Sequence, residues 1–555
     1  MKLNKFHKIG SVALLILLSI ELNAQVIERK RPAEWDKLVY GGRFMDRFCP
    51  IPPIGELTYD TWGAKNVAPR YVDNGIEDSE WSYWGGNILR DTNGIYHLFV
   101  CRWREDSPKG HAEWPNSIVV HAKSINSLGP YKVDNIIGKG HNPEAFKLKD
   151  GRYVIYVIGG NYISQGIKGP WVKGKFDFNP RDRRILEGLS NLSFAQREDG
   201  SYIMVNRGGG IWFSKDGLST YYQVTDKSVY PNVEGRFEDP VIWRDNVQYN
   251  MIVNDWLGRI AYYLRSKDGI HWVVDPGEAY SPGIAKYKDG TIEDWFKFER
   301  IKILQDEYGR AIQANFAVID TLKSEDKPND KHSSKNICIP LNKGVLMTIL
   351  DKNKIDEKTK FIRVKIMAEE DFDPQSIIDV STLRFGASEQ VNFGKGSQVV
   401  KTEQIGKDLI LTFDGKGNGI TDNDFAAKLI GRTKEGDLLF GYARLPWLDY
   451  LEPALSSCLP VLRKNDNAYE FEMEVQNFGQ VASKPSTIKI EQVSDNPMEI
   501  ASGKIPILQP FEAITIKLKS KKELSQKSRV KVSIFSKGQL AEILEGELKS
   551  ENIFH

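Results

Sequence analysis

Cysteine is scarce in this chain of 555 residues. The four copies, Cys49, Cys101, Cys338 and Cys458, are scattered with no CxxC pair, which excludes a zinc ribbon and a dithiol redox motif. One disulfide is permitted in an oxidising compartment, but free buried thiols are the expectation. H-E-x-x-H and EF-hand patterns are absent too, so no dedicated metal-ligand set is expected. The Gly- and Asp-rich run 414–419 reads as a turn rather than a calcium loop. Charge of one sign is also lacking: 76 Lys and Arg face 74 Asp and Glu, a net charge of +2. No global field favours nucleic acid or an anionic membrane. Arg207 is followed by three glycines, but the Lys-Ser/Thr and helix of a phosphate loop do not follow. No apolar run reaches the ~20 residues of a membrane span. The run from Val12 to Ile20 is shorter, follows Lys2, Lys5 and Lys8, and leads to Ala24. It reads as an export signal cleaved after Ala24, giving a periplasmic or secreted chain with zero net charge.

What is abundant points to β structure. Hydrophobic residues make up 41% of the chain and aromatics 11%, with 47 Gly, a turn-rich composition with little helical periodicity. A unit recurs in five copies: Trp84–Tyr96, His141–Tyr153, Ser190–Tyr202, Glu238–Tyr249 and Phe298–Gly309. Each has a polar entry, an apolar strand, a tight turn and a second strand. The turn positions Gly94, Gly151, Gly200, Val247 and Gly309 are 57, 49, 47 and 62 residues apart, the length of a four-stranded propeller blade with its loops. Asn-Gly and Asp-Gly supply the positive φ that such corners need.

These periods predict an all-β chain, a five-bladed β-propeller followed by two β-sandwich domains. The expected boundaries are a signal peptide (1–24), an N-terminal segment packing on the propeller (25–77), the propeller (78–325), a polar linker (326–336), a first sandwich (337–447) and a second (448–555). Alternating strands such as Phe361–Ile366, Asp408–Phe413 and Val530–Phe535 carry the sandwich reading.

The first strand of every blade lines the channel of a propeller, so the polar entries converge although they lie far apart in sequence. Burying carboxylates without partners costs several kcal/mol each, so Glu144, Glu238, Asp239 and Glu299 at these entries require a reason. Glycoside hydrolysis supplies one, because it needs a protonated acid and a second carboxylate at a fixed separation. The expected catalytic residues are Asp239 and Glu238 as base or pKa modulator, and Glu144 or His141 as acid. Trp84, Asn87, Asn142, Asn191, Arg207, Asp255, Trp256, Glu299 and Arg300 are expected to bind substrate, with Asn254 and Arg259 near enough to reach hydroxyls or a charged substituent. No cofactor is required, and a structural divalent cation in the channel is admitted.

The entries Glu238-Asp-Pro240 and His141-Asn-Pro-Glu144, with the Gly-Pro-Tyr131 and Ser-Lys-Asp-Gly-Ile-His-Trp272 turns, resemble the five-bladed propeller glycoside hydrolases. That group includes family 43 arabinosidases and xylosidases, invertase-like enzymes and family 117 anhydro-galactosidases. The likeness covers residues 78–322 and departs from the family 43 pattern at the first blade, where Gly85-Gly86-Asn87 stands in place of an Asp. A family 117 likeness would assign the acid to His141. The resemblance implies an exported, exo-acting, inverting glycoside hydrolase that cleaves a plant or algal polysaccharide or its oligosaccharides. A non-catalytic carbohydrate-binding propeller is the alternative.

Overall fold

The computed structural model describes residues 26–356, 358–465, 468–520, 524–525 and 527–549. The export-signal reading of residues 1–24 lies outside them. Among the described residues the chain is almost wholly strand and loop, with two four-residue α-helices, Pro374–Ile377 and Ser388–Val391. None of its helices is long and apolar enough to cross a membrane. All four cysteines are unbridged, Cys101 and Cys338 buried, Cys49 and Cys458 half-buried.

Five successive sheets follow the sequence repeat, antiparallel except for the short parallel pairing of 178–179 with 221–222 in the third. Their first strands are Trp81–Arg90, Glu144–Lys147, Ser193–Gln196, Phe237–Arg244 and Lys297–Gln305. These strands touch one another in turn: the fifth lies against the first and fourth, the first against the second, the third against the fourth. Second and third are linked by Glu144, whose Oε1 accepts from Ser193 Oγ and the Phe194 amide, each at 2.9 Å. The ring of first strands is thus closed, and its polar residues face a shared axis.

The fifth sheet corrects the expected linker. Strand Ser334–Pro340 pairs over its whole length with Ala311–Ile319, so the last three residues of the run read as a linker are sheet, while 327–332 are exposed or half-buried loop. Asp326 and Ser333 are buried there. The strand is buried on both faces: Ile337, Cys338 and Ile339 supply core, while Lys335, also buried, is held by Glu77 at 2.9 Å. The N-terminal segment then runs along the outer edge of this sheet. The Cys49 amide donates to Pro340 O and the Asn342 amide to Arg47 O, with a bridge between Phe48 and Leu341. An edge that would otherwise offer unpaired backbone groups is covered.

Beyond Leu341 come two further pairs of sheets. Strands from Met347 to Arg444 enclose one apolar cluster, including Ile362, Leu383, Leu411, Phe413 and Leu429. Strands from Leu455 to Glu547 enclose another around Phe471, Ile488, Val532 and Ile534. Each cluster is separate from the large core that joins the first, fourth and fifth sheets.

Candidate functional site

One mouth of the ring is built by a local backbone device used five times. Each first strand is entered through a residue with positive φ: Gly85 (59°), Asn142 (53°), Asn191 (50°), Asp239 (55°) and Arg300 (50°). In three strands the pairing slips beside it, between Trp84 and Asn87, Glu238 and Val241, and Glu299 and Lys302. A bulge of this kind re-aims side chains at the end of a strand. Gly, Asn and Asp tolerate the left-handed region, whereas Arg300 adopts it at a cost of about 1–3 kcal/mol. Gly86 is needed for a different reason: a Cβ there would sit 2.1 Å from Phe99 O.

Three carboxylates meet at this mouth. Glu238, Asp239 and Glu299 each place an oxygen within 4.8 Å of the others, and each has a cation of its own. Arg207 lies 2.9 Å from Glu238, Arg300 Nη1 2.8 Å from Asp239 Oδ1, and Lys323 2.5 Å from Glu299 Oε2. Asp239 also accepts from the Arg300 amide and from Asn191 Nδ2, which Asn142 Nδ2 supports in turn by donating to Asn191 Oδ1. A fourth cation, Lys297, stands 3.6 Å from Glu299 Oε1. The three carboxylates are close enough to share a metal ion, but their charge is already matched by protein cations.

The carboxylates are unequal. The side chains of Asp239 and Glu299 are 2% exposed, that of Glu238 14%. Burial, followed by the charges of Asp239 and Glu299, pushes the Glu238 carboxyl up to about 7, against the opposing effect of Lys323 and Arg207. A carboxyl that keeps its proton near neutral pH and reaches solvent can act as a general acid.

Several sequence-predicted residues have other employment. Glu144 is not in the cluster: besides its bonds to the third strand, its Oε2 is ion-paired with Lys302, and both face a cavity of about 690 Å³ at the other end of the axis. The role of acid expected for it is therefore corrected to that of a buried anchor. Asn87 spends both amide groups on Ala145 O and N, at 2.7 Å each, and joins two strands instead of meeting substrate. Asp255 is fully buried and holds Arg29 at 2.5 Å and the Arg236 and Gly258 amides, which ties down the N-terminal segment. Trp84 is buried with Lys323 over its ring at 4.7 Å and His111 at its edge, so it supports the mouth and offers no face for a sugar.

His141 lies at the mouth with Nδ1 3.0 Å from Ser117 Oγ and 3.4 Å from Cys101 Sγ, and packs on Trp114. Burial, then Arg300 and Lys323, depress its pKa well below 6.5. These surroundings disfavour the imidazolium that its expected role as acid would need. Residues that the sequence reading missed are Lys297, Lys323 and Tyr280. Lys297 had one signal: like Lys302, it falls in a mostly apolar strand where a solvated charge has no place, whereas Lys323 lies outside that strand and had none.

No family model matches the chain, and no curated protein matches it. Solved structures do. An endo-arabinase from Bacteroides thetaiotaomicron is 14% identical, over 47% of this chain and 94% of that one, with a TM-score of 0.31. An α-L-arabinofuranosidase from Lactobacillus brevis is 12% identical over 47% and 91%, with a TM-score of 0.34. A family 43 arabinoxylan arabinofuranohydrolase from Bacillus subtilis is 10% identical over 84% and 94%, with a TM-score of 0.33. Likeness at this level adds nothing to the chemistry read from the side chains.

Proposed function

We propose that the chain is a glycoside hydrolase built on a five-bladed propeller, with Glu238 as its proton donor. The observation that carries this reading is the cluster of three carboxylates at the mouth of the ring, of which Glu238 alone combines access to solvent with surroundings that retain its proton. Asp239, fixed by Arg300 and Asn191, holds negative charge beside it and so keeps that proton in place. Glu299 Oε1 accepts no hydrogen bond within the protein and is the group available to attack.

The spacing bears on stereochemistry. Oxygens within 4.8 Å suit the ~5–5.5 Å of direct attack better than the ~6.5–9.5 Å that admits a water between acid and base. The reading therefore favours retention over the inversion expected from family resemblance. NMR of the first-formed anomer checks this. Exo-action and export belong to the same proposal, to be checked by release of single sugars and by recovery of the processed chain outside the cytoplasm.

Glu238→Gln is expected to lower kcat by roughly 10²–10⁴-fold with no loss of melting temperature. For the wild type, kcat/KM is expected to fall as pH rises through about 7, because the acid then loses its proton. A fully active Glu238→Gln variant would sink the assignment. The non-catalytic reading has one observation in its favour, the burial of both Asp239 and Glu299 under lysine and arginine. Saccharide binding without release of sugar from any polysaccharide would establish it.

A further inference from the structure

Beside Glu299 the mouth opens into a small cavity of about 10 Å³, lined by Asn254, Trp256, Arg259, Tyr280, Lys297 and Glu299. This is room for one water-sized group. The wall is rich in donors that have nothing to donate to. Asn254 Nδ2 and Tyr280 Oη are buried and make no hydrogen bond, and each residue is only 1% exposed. Arg259 Nε is likewise buried and without a hydrogen bond, while its Nη1 donates to Phe296 O and its Nη2 pairs with Glu28. Lys297, 5% exposed, holds its ammonium 4.9 Å from the centre of the Trp256 ring. Leaving such groups unsatisfied costs about 1–3 kcal/mol each, so a site that keeps several together is shaped for an acceptor. Glu299 Oε1 is a free carboxylate oxygen in the wall, and Lys297 and Lys323 flank it.

The surrounding charge agrees. Arg207, Lys297, Arg300 and Lys323 face the three carboxylates, and the excess of positive charge grows by one when Glu238 is protonated. A neutral hydroxyl would leave this excess unanswered, whereas an anionic oxygen would meet both the charge and the donors.

We propose that this cavity receives an anionic oxygen of the sugar residue at the cleavage point, and that the substrate class is therefore an acidic saccharide bearing a carboxylate or a sulfate ester. The inference rests on the hydrolase reading for the word cleavage, but on its own geometry for the anion. Asn254, Tyr280, Arg259 and Lys297 would donate to that oxygen, and Trp256 would carry the adjoining apolar face of the ring.

The test uses the full chain and three matched oligosaccharides, one ending in a uronic acid, one with that carboxyl reduced to the alcohol, and one neutral sugar carrying a sulfate ester. Charge-assisted hydrogen bonds predict that kcat/KM for a charged form exceeds the neutral form by roughly 10- to 100-fold. Which charged form is preferred identifies the group. Lys297→Met is expected to collapse that ratio toward unity, and Tyr280→Phe, which keeps its ring in the core, to reduce it as well should Lys297→Met fail to fold. Equal turnover of charged and neutral forms overturns the inference and leaves the hydrolase standing. Calorimetric binding of a charged form that is lost in the Tyr280→Phe or Lys297→Met variant, with no cleavage at all, upholds the anion pocket and overturns the hydrolase. Absence of binding to both charged forms overturns the pocket.

Discussion

Glu144 and Glu238 are the same residue type at the entries of the second and fourth repeats, yet the fold gives them opposite tasks. Glu144 meets an ammonium, a hydroxyl and an amide, and both its oxygens are spent on them. Glu238 meets two carboxylates and a single arginine at its side, and holds one near neutral pH. The arginine is therefore a control on the acid. Removing it in Arg207→Met takes away an opposite charge that favours the carboxylate, so the pKa of Glu238 rises further. The alkaline limb of the kcat/KM profile is expected to move to higher pH, measured on any substrate that the wild type cleaves. A limb that stays in place or moves down would show that Glu238 is not the titrating group.

At the scale of elements, the first strands are held together across the axis by buried polar clips rather than by apolar contact alone. The pair of Lys302 and Glu144 joins the fifth strand to the second, with side chains only 2% and 7% exposed. Breaking one partner of a buried pair leaves the other charge without compensation, which costs about 3–5 kcal/mol. Lys302→Met should lose that much stability in chemical denaturation, and the double variant Glu144→Gln with Lys302→Met should regain most of it. A single variant that unfolds with the wild type would remove the axis pair from the account of stability. The repeat was legible in the sequence at this scale because tight turns demand Gly and because apolar strands alternate with polar entries. The five positive-φ entries follow from it: four of them are Gly, Asn or Asp, and Arg300 occupies the equivalent place without the usual residue type. The linker was not legible as strand, since Ser334, Lys335 and Asn336 are polar residues buried by partners elsewhere in the chain.

The molecule as a whole is fastened through arginines that cross from the third sheet to the last pair of sheets. Arg181 reaches Ser456 O at 2.9 Å and pairs with Glu474, and Arg183 reaches Glu542 at 2.6 Å and Ser456 Oγ at 3.0 Å. Neither is near the mouth. Arg183→Ala should therefore loosen the attachment of residues 455–547, by about 3–5 kcal/mol for a buried pair broken on one side, without altering turnover. Calorimetry should show a separate, earlier transition for that part, and a single unchanged transition would count against the attachment.

The sequence by itself determined the β class, the fivefold repeat and part of the polar set at the mouth, Glu238, Asp239, Glu299, Arg300 and Arg207 among them, because each of these depends on local periodicity and turn chemistry. It could not rank those residues. Whether a carboxylate is an acid, an anchor or a charge partner depends on what stands within a few ångströms of it. In this chain those neighbours are remote: Lys302 is 158 positions from Glu144, and Arg300 is 61 from Asp239. Only the closing of the ring brings them together and buries each charge beside its partner.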